Sequence, residues 1–209
     1  MSDMLSVMII GASGRVGGAA CAELQKRHRV ITAGRQSGDI RIDITDPDSI
    51  ERAFVEAGSL DAVIVASGRV QFSPLDRHQP SKLDDSAHAV GIHDKLLGQV
   101  NVAYSARDQL NANGSITLTS GISNVEPTPG SISPSLVNGA LDAFVTAAAL
   151  EMPRGIRLNA VSPTVLTNSL EEYGHFFRGM RPVDSSDVGL AYARCVESRI
   201  RGWVVRAGW

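Results

Sequence analysis

The sequence predicts an α/β fold, a doubly wound parallel sheet in one domain over residues 1–209, and three observations carry that expectation. Apolar runs of strand length alternate with helix-patterned segments from end to end, the signature of parallel strands joined by crossover helices. A glycine-rich turn separates the first strand from the first helix. A chain of 209 residues buries one sizeable core without a second domain.

Each element has its own signal. Val7-Met8-Ile9-Ile10 is a buried first strand, and Val16, Ala20 and Leu24 share one face of a helix running to about His28. Val30-Ile31-Thr32-Ala33 reads as the second strand, and Ile40, Ile42 and Ile44 alternate as a third. Asp46-Pro47 supplies a cap and a proline at the first helical position, Ile50, Ala53 and Phe54 face inward, and Gly58 closes that helix. Residues 60–66, interrupted by Asp61, form the next strand, with further strands at 116–119, 156–161 and 203–205. Later helices end near Asn113-Gly114, or run over about 135–152 and about 186–197. Segments 69–85 and 164–185 are richer in Pro, Gly and polar residues and are predicted as loops at the strand ends, where ligands bind in such sheets.

The turn Gly11-Ala12-Ser13-Gly14-Arg15-Val16-Gly17 has the make-up of a phosphate cradle. Its glycines permit tight turning and close approach of a pyrophosphate, the helix N-terminus presents free N–H groups, and Arg15 adds positive charge. Such a turn also serves plain strand-to-helix packing, so alone it leaves both readings open. The Walker phosphate loop needs Lys and then Ser or Thr after its last glycine; Gly17 is followed by Gly18-Ala19, which argues against an ATPase. The net charge of −2, from 20 basic and 22 acidic residues scattered along the chain, offers no basic surface for nucleic acid. No apolar stretch approaches the ~20 residues that cross a bilayer. Cys21 and Cys195 lack partners at metal-ligand spacing, so reduced thiols, no metal and a cytoplasmic location are expected.

In order and spacing, these pieces resemble the short-chain dehydrogenase/reductase family over almost the whole chain. Gly11, Gly14 and Gly17 stand where the family's cofactor glycines stand, and Asp43-Ile44 resembles its adenine-contacting acidic residue. Val65-Ala66-Ser67-Gly68 takes the place of the family's Asn-Asn-Ala-Gly strand end. Val100-Asn101-Val102 is similar to the helix asparagine motif, and Leu118-Thr119-Ser120 to the strand carrying the catalytic serine. The run from Gly155-Ile156-Arg157 to Ser162-Pro163 is similar to the penultimate strand, after which the resemblance implicates the Val165 backbone and the Thr167 hydroxyl in holding a nicotinamide carboxamide. The resemblance implies a Rossmann-type domain that binds a nicotinamide dinucleotide, acts on a small carbonyl or alcohol, and assembles as a homodimer or homotetramer. Ala140, Leu141, Phe144, Ala147 and Ala148 suit such an interface and suit a core equally well.

The sequence departs from the family at the centre of its chemistry. Where members carry Tyr-x-x-x-Lys, this chain has Pro134 and Asn138. The tyrosine exchanges the proton at the carbonyl oxygen and the lysine lowers its pKa from about 10. Proline does neither. Asn138 keeps hydrogen-bonding capacity toward a ribose without the charge. Ser120 remains as a carbonyl-polarising donor and Asn101 as a water-holding group. Among other proton sources, Tyr104 reads as packing, His93 and Lys95 as solvent-facing, and Tyr173 and His175 as lid or pocket-wall residues. The second strand ends in Ala33-Gly34-Arg35 rather than an acid, so Arg35, with Arg15, points to NADP(H) over NAD(H); the alternative is that both arginines are solvated. Three readings stand here: an NADP(H)-dependent oxidoreductase, an NADP(H)-binding sensor or scaffold that has lost turnover with Pro134 and Asn138, or a domain with no ligand at all.

Overall fold

A computed structural model describes residues 4–209. Seven parallel strands lie in the order β3-β2-β1-β4-β5-β6-β7. They are β1 (Ser6–Ile10), β2 (Arg29–Gly34), β3 (Ile40–Arg41), β4 (Ala62–Val65), β5 (Ser115–Thr119), β6 (Arg157–Pro163) and β7 (Val204–Ala207). The order reverses between β1 and β4, and the crevice at the carboxyl ends of those strands is where ligands bind in open α/β sheets.

The central strands are apolar on both faces because helices cover both. Met8 and Ile10 of β1 and Val63 and Val65 of β4 pack against α2 (Pro47–Ala57), α3 (Gly98–Gln109) and α4 (Ile132–Ala148). Their neighbours Val7, Ile9, Ala62 and Ile64 face the other way, toward α1 (Arg15–Leu24) and α6 (Ser185–Glu197). The alternation of side chains across a strand thus feeds two cores. A short α5 (Leu170–Tyr173) sits in the segment after β6.

Several boundaries differ from the sequence reading. Only Ile40 and Arg41 of the expected third strand pair with β2. Asp43 Oδ1 accepts from the Thr45 amide at 3.0 Å and the Thr45 hydroxyl at 2.7 Å, a local turn that bends the chain off the ladder toward α2. Ile42 and Ile44 remain buried even so. α4 begins at Ile132, which places Pro134 in the first helical turn, where a missing N–H costs nothing. Leu141 is fully buried in the core, so it is not available to an interface. The last strand starts after Trp203. A π-helical segment, Gly91–Leu97, leads directly into α3; nothing in the sequence pattern announces it.

Candidate active site

The carboxyl ends of β4, β5 and β6 border a cleft of about 410 Å³. Its walls come from Ala66–Val70 after β4, Thr119–Ser123 after β5, Pro163–Leu166 at the end of β6, and Pro134 and Asn138 of α4. Phe72, Tyr173 and Phe177 close the outer side, with Phe72 stacked on Phe176 at 4.4 Å and edge-on to Phe177 at 6.0 Å. Most of this lining is apolar, which suits a small ligand held by a few polar groups.

The polar groups converge on Ser120. Its side chain is buried, and Oγ makes no close hydrogen bond among the described residues, its polar neighbour being the Asp142 carboxyl. Thr119, one residue earlier, is fixed on all sides. Gln99 of α3 donates through Nε2 to the Thr119 carbonyl at 3.0 Å and accepts from the Thr119 amide at 2.8 Å. The Thr119 hydroxyl donates to the Val65 carbonyl at 2.7 Å and lies 2.6 Å from the Tyr192 hydroxyl. Buried networks of this kind hold a reactive neighbour in one place. Gln99 and Tyr192 carried no signal in the sequence, since each acts through contacts between distant segments.

Lys95 overturns an expectation. The polar stretch around it predicts solvent exposure, yet Lys95 lines the cleft and its ammonium turns inward from the π-helical segment. Lys95 Nζ donates to the Ser120 carbonyl at 3.0 Å and to Asn138 Oδ1 at 2.8 Å. Burial lowers its pKa from the ordinary lysine value to about 8, with the negative charge of Asp142 pulling the other way. Gly68 makes room for it: at φ +127°, a Cβ there would stand 2.7 Å from the Lys95 Cα. Asp142 lies beyond, its carboxyl pKa raised by burial and partly restored by Ser120 and by Asn124, whose amide donates at 2.7 Å.

Asn101 does not reach this cleft; it sits on α3, six residues past Lys95, about 9 Å further along a helix axis. The match of residue type at Val100-Asn101-Val102 therefore placed the α3 contribution too late, and Lys95 occupies the site end of that helix. Tyr104 is exposed, edge-on to Phe144 and under the Arg107 guanidinium. His93 pairs with Asp84 at 2.8 Å on the surface, and His175 stacks on Phe176.

The glycine turn lies between β1 and α1, with Gly11 at φ +86° and Val16 reaching the cleft wall. Gly14 caps α1 without any side-chain hydrogen bond, so the first amides keep their donors. Gly17 packs so tightly that a Cβ would fall 2.2 Å from the Gly11 carbonyl oxygen. Ser13 is exposed at the turn's tip. A second crevice, about 100 Å³, brings together Arg35, Asp43, Ile44, Ser67 and Gly68. Hydrogen bonds from Thr45, and then the nearby Arg35, hold the Asp43 carboxyl below the usual carboxylate range. Arg35 approaches Asp43 to 3.9 Å. Arg15 is instead engaged by Glu172 of α5 at 2.8 Å, an ion pair from the lid to the turn rather than a partner of Arg35. The Thr167 hydroxyl is bound to Asp184 Oδ1 at 2.7 Å, and the Val165 carbonyl accepts from Val183, while Val165 and Pro163 line the cleft.

A family model described as enoyl-(acyl carrier protein) reductase matches residues 12–185 of this chain. The chain belongs to the short-chain dehydrogenase/reductase family. This family comprises oxidoreductases that bind a nicotinamide cofactor. The chain is 29% identical to the short-chain dehydrogenase/reductase ATR9 of Stachybotrys chlorohalonatus, covering 76% of this chain and 72% of that one. The solved structure of the protein lin1944 from Listeria innocua superposes with a TM-score of 0.91 at 42% identity, over 97% of this chain and 98% of that one. A small-chain dehydrogenase solved in complex with NADPH shares the fold, with a TM-score of 0.83 at 23% identity over 98% of this chain and 96% of that one. In this short-chain dehydrogenase/reductase, then, the seven-stranded parallel sheet ends in a cleft whose floor is lined by Lys95, Ser120, Pro134 and Asn138.

Proposed function

We propose that the protein is an NADP(H)-dependent oxidoreductase acting by hydride transfer on a small carbonyl or alcohol with an apolar body. The observation that carries this reading is Ser120 in the cleft wall, its buried hydroxyl without a close hydrogen-bond partner among the described residues and with the Asp142 carboxyl as its polar neighbour. Turned toward the cleft by rotation about its Cα–Cβ bond, that hydroxyl would orient and polarise a substrate oxygen. Ile122, Leu166, Phe72 and Phe177 suit the apolar remainder of such a substrate.

The residues present also fit a dinucleotide. The uncapped first amides of α1 and the turn Gly11–Gly17 suit a pyrophosphate, and the Arg35, Asp43 and Ile44 crevice suits the adenosine half. Ser67 and Gly68 join that crevice to the cleft, where Ala66, Asn138, Pro163 and Val165 stand. When bound, the cofactor supplies or accepts the hydride. Arg35 at the end of β2, in place of an acid, supports NADP(H), as does the NADPH-bound fold relative. Pro134 favours the second reading, a cofactor-binding sensor without turnover. Calorimetric titration with NADPH and NADH, followed by turnover assays over aliphatic and aromatic carbonyls, separates the readings. Saturable NADPH binding with turnover supports the enzyme, binding without turnover the sensor, and no saturable binding overturns both. For assembly, we propose a homodimer or homotetramer through α3 and α4, where Tyr104 and Leu136 are exposed; light scattering that reports a monomer refutes it.

A further inference from the structure

We propose that Lys95 is the proton-transferring residue of this site, standing in for the absent tyrosine; the inference rests on the oxidoreductase reading above. The geometry begins with valence. A lysine ammonium has three donors, and Lys95 Nζ uses two, on the Ser120 carbonyl and on Asn138 Oδ1. One N–H therefore remains for a group in the cleft that Lys95 and Ser120 both line. Pro134, which the resemblance places at the tyrosine position, offers no proton there, and of the other titratable residues lining the cleft Arg69 is tied to Asp94 while Tyr173 hydrogen-bonds Glu172, which raises its pKa.

Two helices have in effect exchanged roles. The resemblance leads to a lysine on α4 and an amide on the helix before it; here α4 carries the amide, Asn138, and the π-helical entry to α3 carries the ammonium. The two side chains meet, so the ammonium is kept in the site although its sequence address has changed. π-Turns inserted at a helix start are frequent at functional sites because they re-aim a side chain. Here Lys95 is aimed inward while Gln99, four residues later, clasps Thr119.

In reduction, a bound dihydronicotinamide would supply the hydride pair for the new C–H bond at the carbonyl carbon; as the C=O π pair moves onto oxygen, Lys95 gives that oxygen the free Nζ proton. The neutral amine then takes a proton from solvent. Oxidation of an alcohol runs the same transfers in reverse, with the neutral amine accepting the proton. A donor with a pKa of about 8 suits both directions near neutral pH. Reduction requires the charged form, so its rate falls as pH rises through about 8; oxidation requires the neutral form and rises there. Asp142 is the anion that opposes the lowered value, and the Arg69–Asp94 pair and Tyr173 are the remaining titratable groups around the cleft.

The test has two arms. Competitive acylation of the full-length protein with mass-spectrometric readout gives the pKa of each lysine, and Lys26, Lys82 and Lys95 are the chain's only ones. Lys95 titrating near 8 supports the proposal, and a value at or above the ordinary ~10.4 overturns it. In the second arm, Lys95→Arg keeps the charge but does not deprotonate, so NADPH affinity should stay within about threefold while carbonyl reduction drops ~100-fold and loses its alkaline limb. Retained turnover with an unchanged pH profile in Lys95→Arg overturns the inference and leaves the oxidoreductase reading standing. NADPH binding without turnover by the unaltered protein overturns the inference in favour of the sensor, and absence of dinucleotide binding overturns the reading beneath it. Lys95→Gln serves as the check on folding: reduction lost at unchanged NADPH affinity supports proton transfer, whereas reduction retained overturns it.

Discussion

The glycine turn and the cleft floor lie along the same edge of the sheet, but they are specified in different ways. The turn is seven consecutive residues whose shape follows from local sterics: Gly11 holds a positive φ, and Gly17 touches the Gly11 carbonyl where no side chain fits. The floor is assembled from Lys95, Ser120, Asn138 and the end of β6, segments separated by tens of residues. The turn tolerates little change of residue type. On the function proposed above, the floor needs an ammonium and a hydroxyl at certain points in space, and a lysine serves from whichever helix reaches them.

That contrast can be broken at either end. The largest effect is expected from Gly17→Val, because the new side chain collides with backbone rather than with a flexible neighbour. NADPH affinity should fall more than ~100-fold and the melting temperature should drop by several degrees, as read by calorimetry and thermal unfolding. Asn138→Lys comes next. It restores the residue that the family pattern calls for, but sets a second ammonium against Lys95 and removes its acceptor, at a cost of about 2 kcal/mol. Lower thermal stability without gained reductase activity is the expected outcome, and a stabilised, faster variant would show that the floor accepts the lysine from either helix.

Ser120→Ala should lower turnover by ~10-fold or more with cofactor affinity unchanged, since it removes a donor toward the substrate oxygen and leaves the Gln99–Thr119 clasp in place. Parallel losses in turnover and NADPH affinity would place Ser120 on the cofactor instead. The smallest effect is Arg35→Ala, a loss of about tenfold in NADPH affinity with NADH affinity nearly constant. Equal losses for both cofactors would mean that Arg35 acts only through Asp43, its 3.9 Å neighbour.

Much of this molecule was determined by sequence alone: the parallel α/β sheet, the helix from Asp46-Pro47 to Gly58, the strand ends at Ala66 and Ser120, and the glycine turn. These depend on side-chain periodicity, capping and positive φ, all properties of residues close together in the chain. Tertiary structure alone decided which nearby polar groups face the cleft. Asn101 and Lys95 lie on one continuous helical run, and the π-helical segment with the contacts of Gly68, Gln99 and Asn138 turns Lys95 inward while Asn101 stays outside. The pairing of Arg15 with Glu172 and the capture of the Thr167 hydroxyl by Asp184 were decided in the same way. A polar side chain goes to whichever partner the fold brings within about 3 Å, and that distance is set by packing between elements far apart in sequence.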